Sequence, residues 1–206
     1  MEVKVMQIKL KVIIFRLMIV LLNLITSVCG GEKMMNQNLQ NYVQNRKIVI
    51  EQLLSIAKKN IKSSSKESKE MREIITMLGK LRAEEAAEFL VQYIALMPSG
   101  IFFETTIANI YPAVGALIQI GYPSVLTILN TGFLRERSDL EQELMAHVIC
   151  SVLGDGYHNR WEVGRRLGRL IIQEHLRSAN PPKQVRERLI KFMENYFPAE
   201  KPIKRH

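Results

Sequence analysis

The chain has 206 residues, 47% of them hydrophobic and 24% charged, which is enough to bury an ordinary core and excludes a disordered polyelectrolyte. The net charge of +9 is uneven: residues 1–30 hold four basic side chains and one acidic, residues 31–155 are near neutral, and residues 156–206 hold twelve basic against five acidic. Only two cysteines, Cys29 and Cys150, are present, which excludes a disulfide framework.

Residues 1–31 have the order of an export signal. Lys4, Lys9, Lys11 and Arg16 precede an apolar stretch from Leu17 to Val28, and small residues follow at Ser27, Gly30 and Gly31. Cations ahead of the apolar run hold that end in the cytoplasm. The same run, counted from Leu10, also has the length of an uncleaved membrane anchor. A lipidated Cys29 is the third reading, although Val28 is a poor residue to precede it. The protein is therefore expected to be exported, periplasmic or extracellular, or held on the membrane by this segment.

Leu, Ile, Ala, Met, Glu, Lys and Arg dominate the rest of the chain, and strand-type alternation is scarce, so the fold class expected is all-α. A helix is predicted over 36–62, with Ile50, Leu54, Ala57 and Ile61 as its apolar stripe. Serines 63–65 then read as a linker, 63–67, because serine hydroxyls compete for backbone hydrogen bonds. The main domain is expected over 68–197, with a basic tail at 198–206.

Within that domain Met71, Ile74, Ile75, Leu78 and Leu81 mark a first helix, and Leu81-Arg82-Ala83 a turn. Glu84 and Glu85 open a second helix that buries Ala86, Phe89, Leu90, Tyr93 and Ile94, ending at Pro98-Ser99-Gly100. Thr105 or Thr106 caps the next, running through Ile110, Val114, Leu117 and Ile118 to the Gly121-Tyr122-Pro123 punctuation. Val125, Leu126, Ile128 and Leu129 carry its partner, closed by Thr131-Gly132. A third pair is predicted at 139–153 and 159–178 around Gly154-Asp155-Gly156, and a last helix from about Pro182 to Tyr196.

Paired helices recurring at about forty residues must stack to bury their faces. The stretch Arg72-Glu-Ile-Ile-Thr-Met-Leu-Gly79-Lys-Leu81, followed by Glu85-Ala-Ala-Glu-Phe-Leu90, resembles a HEAT repeat. The second unit is similar, with Pro112 inside its first helix, where such repeats carry a bend. The resemblance covers about 67–178 and implies a short α-solenoid of paired antiparallel helices with an interaction surface and no chemistry. Two departures stand out: the first two units lack the aspartate usual in the intra-repeat turn, and the third has a long second helix. The residues do not separate a HEAT-like stack from an armadillo-like one or from an irregular bundle.

Candidate chemistry is sparse. Glu143, His147 and Cys150 share one helical face and include metal-ligand types, but no second ligand pair accompanies them. Asp155 and His158 flank a turn that Gly-Asp-Gly explains by itself. Metalloprotease, nucleophile-elbow, phosphate-loop and paired-cysteine motifs are all missing, so no enzyme activity, cofactor, metal or small-molecule substrate is inferred.

The strongest signal is a basic patch around Trp161: Arg160, Arg165, Arg166, Arg169, Arg177, Lys183 and Arg186, continued by Arg188 and Lys191. Arg166, Arg169, Gln173 and Arg177 align on one helical face, with Leu167, Leu170 and Ile171 expected to pack inward. Gly164 and Gly168 predict a closely approached neighbouring helix. The expected partner is another protein, with the patch either its contact or simply a solvated face. An anionic membrane surface is the alternative, and nucleic acid is disfavoured by export.

Overall fold

The computed structural model describes residues 32–62, 69–97 and 106–199. The signal or anchor segment 1–31 with Cys29, the linker 63–67, the Pro98-Ser99-Gly100 turn, Thr105 and residues 200–206 of the tail lie outside the described residues. Every regular element among the described residues is helical. None of those helices is by itself long and apolar enough to cross a membrane.

The described residues fall into two compact units, divided between Lys58 and Lys59. Helix α1, Glu32–Lys62, crosses the division and starts four residues earlier than periodicity predicts. Its buried apolar residues are Val49, Ile50, Leu53 and Ala57, so Leu53 holds the place predicted for Leu54, which is half-buried with Ile61. Both leucines lie within one turn of the stripe, and spacing alone does not choose between them.

The second unit opens with α2, Lys69–Lys80, which buries Met71, Ile74, Ile75 and Leu78 as predicted. The helix ends on paired bonds, Ala83 N–H to Leu78 O at 3.0 Å and Arg82 N–H to Gly79 O at 2.8 Å. That geometry requires a left-handed residue at its centre, usually glycine, and here Arg82 takes it at φ 47°. The second helix of this pair is shorter than predicted. Glu84–Ala86 form a 3₁₀ turn and α3 spans only Ala87–Gln92, with Tyr93 half-buried beyond it.

The next predicted helix divides. Thr106 caps α4, Ile107–Ile110, by accepting from Asn109 N–H at 3.3 Å. At Tyr111 the backbone leaves the helical region (φ −112°, ψ 88°), and α5, Pro112–Ile120, starts afresh with proline in its first turn. Proline lacks the N–H that would continue the ladder and crowds the preceding turn, so the expected bend is a full break. Gly121, at φ 83°, then turns the chain through 116° into α6, Tyr122–Thr131, a conformation no other residue type adopts cheaply.

Helix α7, Asp139–Leu153, begins on a capping box: Ser138 Oγ accepts from Glu141 N–H, and the Glu141 carboxylate accepts from Ser138 N–H. Helices α8, Arg160–Ser178, and α9, Lys183–Tyr196, complete the unit within a residue of prediction. The packing joins α2 to α5 and α5 to α7, α3 to α6, α7 to α8, and α8 to α9.

The face of α8 differs from the predicted one. Its buried residues are Gly164, Gly168, Ile172 and Leu176, whereas Leu170 is 59% exposed and Leu167 and Ile171 are half-buried. The glycines decide this. A Cβ on Gly164 would strike the backbone of Cys150, and one on Gly168 the ring of Phe197, so this stripe alone lets α8 lie against α7. Predicting a close approach from the glycine pair is consistent with that contact; assigning the larger leucines to the inward face is not.

Candidate functional site

The seven predicted patch cations do not act alike. Arg165, Arg166, Arg177 and Lys183 are exposed. Arg169 is half-buried and donates to Phe197 O at 2.7 Å, closing the chain after α9. Arg186 donates to Leu176 O at 3.3 Å near the end of α8. Beyond the patch core, Arg188 donates to the carbonyls of Phe133 and Leu134, both at 3.1 Å. Guanidinium groups at helix ends satisfy carbonyls that the helix leaves over, so part of the basic excess is structural. What stays outward on α8 is a mixed face, Leu170 between Arg166 one turn before and Arg177 two turns after.

Arg160 stands apart from the others. It opens α8 and lines a cleft of about 780 Å³ together with His147 and Ser151 of α7, Asp155 of the following turn, and Arg82 after α2. Ile118 and Ile120 of α5, with Gly121 and Tyr122 at the corner into α6, form the facing wall. His147 and Ser151 share one face of α7, one turn apart, which is why both reach the same space. The volume lies in the range of small-molecule sites.

Burial lowers the His147 pKa, the Arg160 charge lowers it further, and Glu143 opposes both, leaving the imidazole neutral near pH 7. Its ring packs on Trp161 with centroids 4.8 Å apart. Ser151 is 8% exposed, and its hydroxyl has no hydrogen-bond partner among the described residues. The two are thus not hydrogen-bonded as nucleophile and base, the arrangement acyl transfer needs. Arg160 forms no ion pair with any described residue.

The sequence-level metal candidates separate. Glu143 is exposed, His147 half-buried and Cys150 3% exposed, and no three ligand-type side chains gather among the described residues. Burial pushes the Cys150 thiol up to about 11, against the pull of Arg165, so it is a protonated core residue at neutral pH. His158, exposed on the turn, does not line the cleft that Asp155 borders. Sequence reasoning missed Ser151 and Arg82 as site residues, since nothing in their local spacing points to a shared cavity. The chain matches no family model, no curated protein and no solved structure.

Proposed function

We propose that this protein is an exported or membrane-tethered helical-repeat scaffold, HEAT-like in plan, that binds an acidic protein partner through the outer face of α8. The observation that carries the reading is Leu170, 59% exposed amid Arg166 and Arg177. An apolar centre with a cationic rim has the composition of a binding patch. First helix packs on first helix, α2 on α5 and α5 on α7, and α3 packs on α6, which supports the stacked plan. Export or anchoring rests on the order of cations, apolar run and small residues over 1–31.

The test places a photo-crosslinking residue at position 170 of the full chain in its native cell. One acidic protein should be captured there, and the adduct should disappear in Arg166→Glu/Arg177→Glu. Arg169 is left unchanged because it holds Phe197. An adduct indifferent to the reversal, or none, refutes the proposal. Co-sedimentation with phosphatidylglycerol vesicles, abolished by salt and by the same reversal, would replace the protein partner with a lipid surface.

A further inference from the structure

We propose that the ring contact between His147 and Trp161 is an acid-released latch that holds the first turn of α8 against α7. Few side chains hold the start of this helix. Asn159, which precedes it, makes no side-chain cap, and residues 160–162 are all exposed. Val163 is half-buried, and Gly164 is the first buried residue. Trp161 is 41% exposed, and His147 packs against its ring with centroids 4.8 Å apart at 59°. A first turn without a side-chain cap leaves backbone N–H groups over, and helix ends are where a fold opens most easily. A modest bias is therefore enough to shift the turn between docked and loosened states.

The charges around His147 supply that bias. Arg160, next to Trp161 on α8, borders the same cleft as the half-buried imidazole, and Glu143 lies one turn before it on α7. Helix α5 carries no ionisable side chain, and α6 brings only Tyr122 to the wall. Asp155 of the α7–α8 turn and Arg82 from beyond α2 complete the charged lining, Arg82 having a partner of its own. Tyr196 of α9 donates to Asp139 O at 3.2 Å, at the other end of α7. Burial and the Arg160 charge both disfavour the imidazolium, and the attraction of Glu143 does not make up for them. A solvated histidine titrates near 6.5, so the loosened turn, with His147 wet and farther from Arg160, takes up a proton more readily than the docked one. By linkage the docked turn is favoured at neutral pH and loses ground as pH falls through 6.5. A charged imidazole on an indole gains a cation–π attraction, which opposes release, and experiment separates the two effects.

Trp161 is the chain's one tryptophan, so its accessibility reads the latch directly. The full chain in non-ionic detergent is followed from about pH 8 to about pH 5, across the histidine range. Acrylamide quenching of Trp161 emission and hydrogen-exchange protection of residues 160–163 report the turn, and far-UV circular dichroism reports total helix. The quenching constant should rise about twofold or more across that range, and protection of 160–163 should fall with it, while helix content holds. His147→Phe keeps a ring against Trp161 without a titrating group, so its quenching constant should stay flat at the value of the wild type near pH 8. Glu143→Gln, at an exposed position, should lower the midpoint, because it removes the charge that favours the imidazolium. The proposal is overturned if emission titrates while the quenching constant and protection stay constant, since the charged ring then remains stacked. It is equally overturned if His147→Phe titrates like the wild type, which assigns the change to the exposed His158. Accessibility indifferent to pH, or helix content falling in step with it, also sinks the latch, the second because the whole unit is then unfolding.

Discussion

Replacing Glu141 by alanine is expected to destabilise the protein by about 4 kcal/mol, most of it through one buried arginine. The Glu141 carboxylate receives Arg137 at 2.8 Å and Arg135 at 2.7 Å, and its second oxygen accepts from Ser138 N–H at 3.0 Å. The two arginines differ in environment: the Arg137 side chain is 4% exposed and that of Arg135 is 54% exposed. Without Glu141, Arg137 keeps the carbonyls of Gly132 at 2.7 Å and Val91 at 3.4 Å but loses its counter-ion. Breaking a buried pair costs roughly 3–5 kcal/mol, and the surviving carbonyl bonds place this case toward the low end. Loss of the acceptor for Ser138 N–H adds about 1 kcal/mol. Arg135, hydrated and screened, contributes under about 1 kcal/mol. Glu141→Gln retains an oxygen for Arg137 and should cost about 2 kcal/mol. Urea unfolding of Glu141→Ala, Glu141→Gln, Arg135→Met and the double variant Glu141→Leu/Arg137→Leu measures all four, at constant m. The double variant should be milder than Glu141→Ala, since it leaves no charge stranded. If Glu141→Ala falls within about 1 kcal/mol of wild type, or Arg135→Met matches it, the assignment of the cost to a buried Arg137 is wrong.

Gly164→Ala should destabilise by about 3 kcal/mol or more and Gly168→Ala by about 1–2, because the first meets the backbone of Cys150 and the second a Phe197 ring that can shift; thermal unfolding of both checks the order. Ile172→Ala should cost about 2–5 kcal/mol and Leu170→Ala under about 0.5, reversing the ranking that an inward Leu170 would give. Stability should fall as pH drops below 6.5, because burial lowers the His147 and His175 pKa values and the unfolded chain takes up protons first. A further loss should follow below about pH 4.5: burial pushes the Glu141 carboxyl up, but hydrogen bonds from Arg137 and Ser138 and the two guanidinium charges outweigh it and hold the pKa below its ordinary value. Arg160→Gln removes a cation that opposes His147 protonation, so the pH midpoint of Trp161 quenching should rise; an unchanged midpoint would mean Arg160 is too far or too well solvated to matter.

Some helix ends were legible in the residues because their chemistry is local. Gly121-Tyr122-Pro123 marked the α5–α6 corner, where the structure gives Gly121 its positive φ, whereas the Ser138–Glu141 cap at the start of α7, which needs only four consecutive residues, emerged from the structure. Proline at 112 was legible as a disturbance, but whether it bends or breaks a helix depends on what Tyr111 and α4 pack against. All-helical content likewise came from composition and period alone. Burial did not, because it belongs to pairs of elements. Leu170 and Gly168 are both candidates for an inward face by period, and only the approach of α7 and Phe197 selects the glycine. The basic excess of residues 156–206 was plain in the sequence, yet its division into carbonyl-binding arginines and outward ones required knowing where the ends of α8 and α9 lie. The cleft depended most on the tertiary structure. Arg82, Ser151 and Arg160 are far apart or unremarkable along the chain, and they become one site only when α7 packs beside the α5–α6 corner, since a cavity is the space left between elements and has no local code.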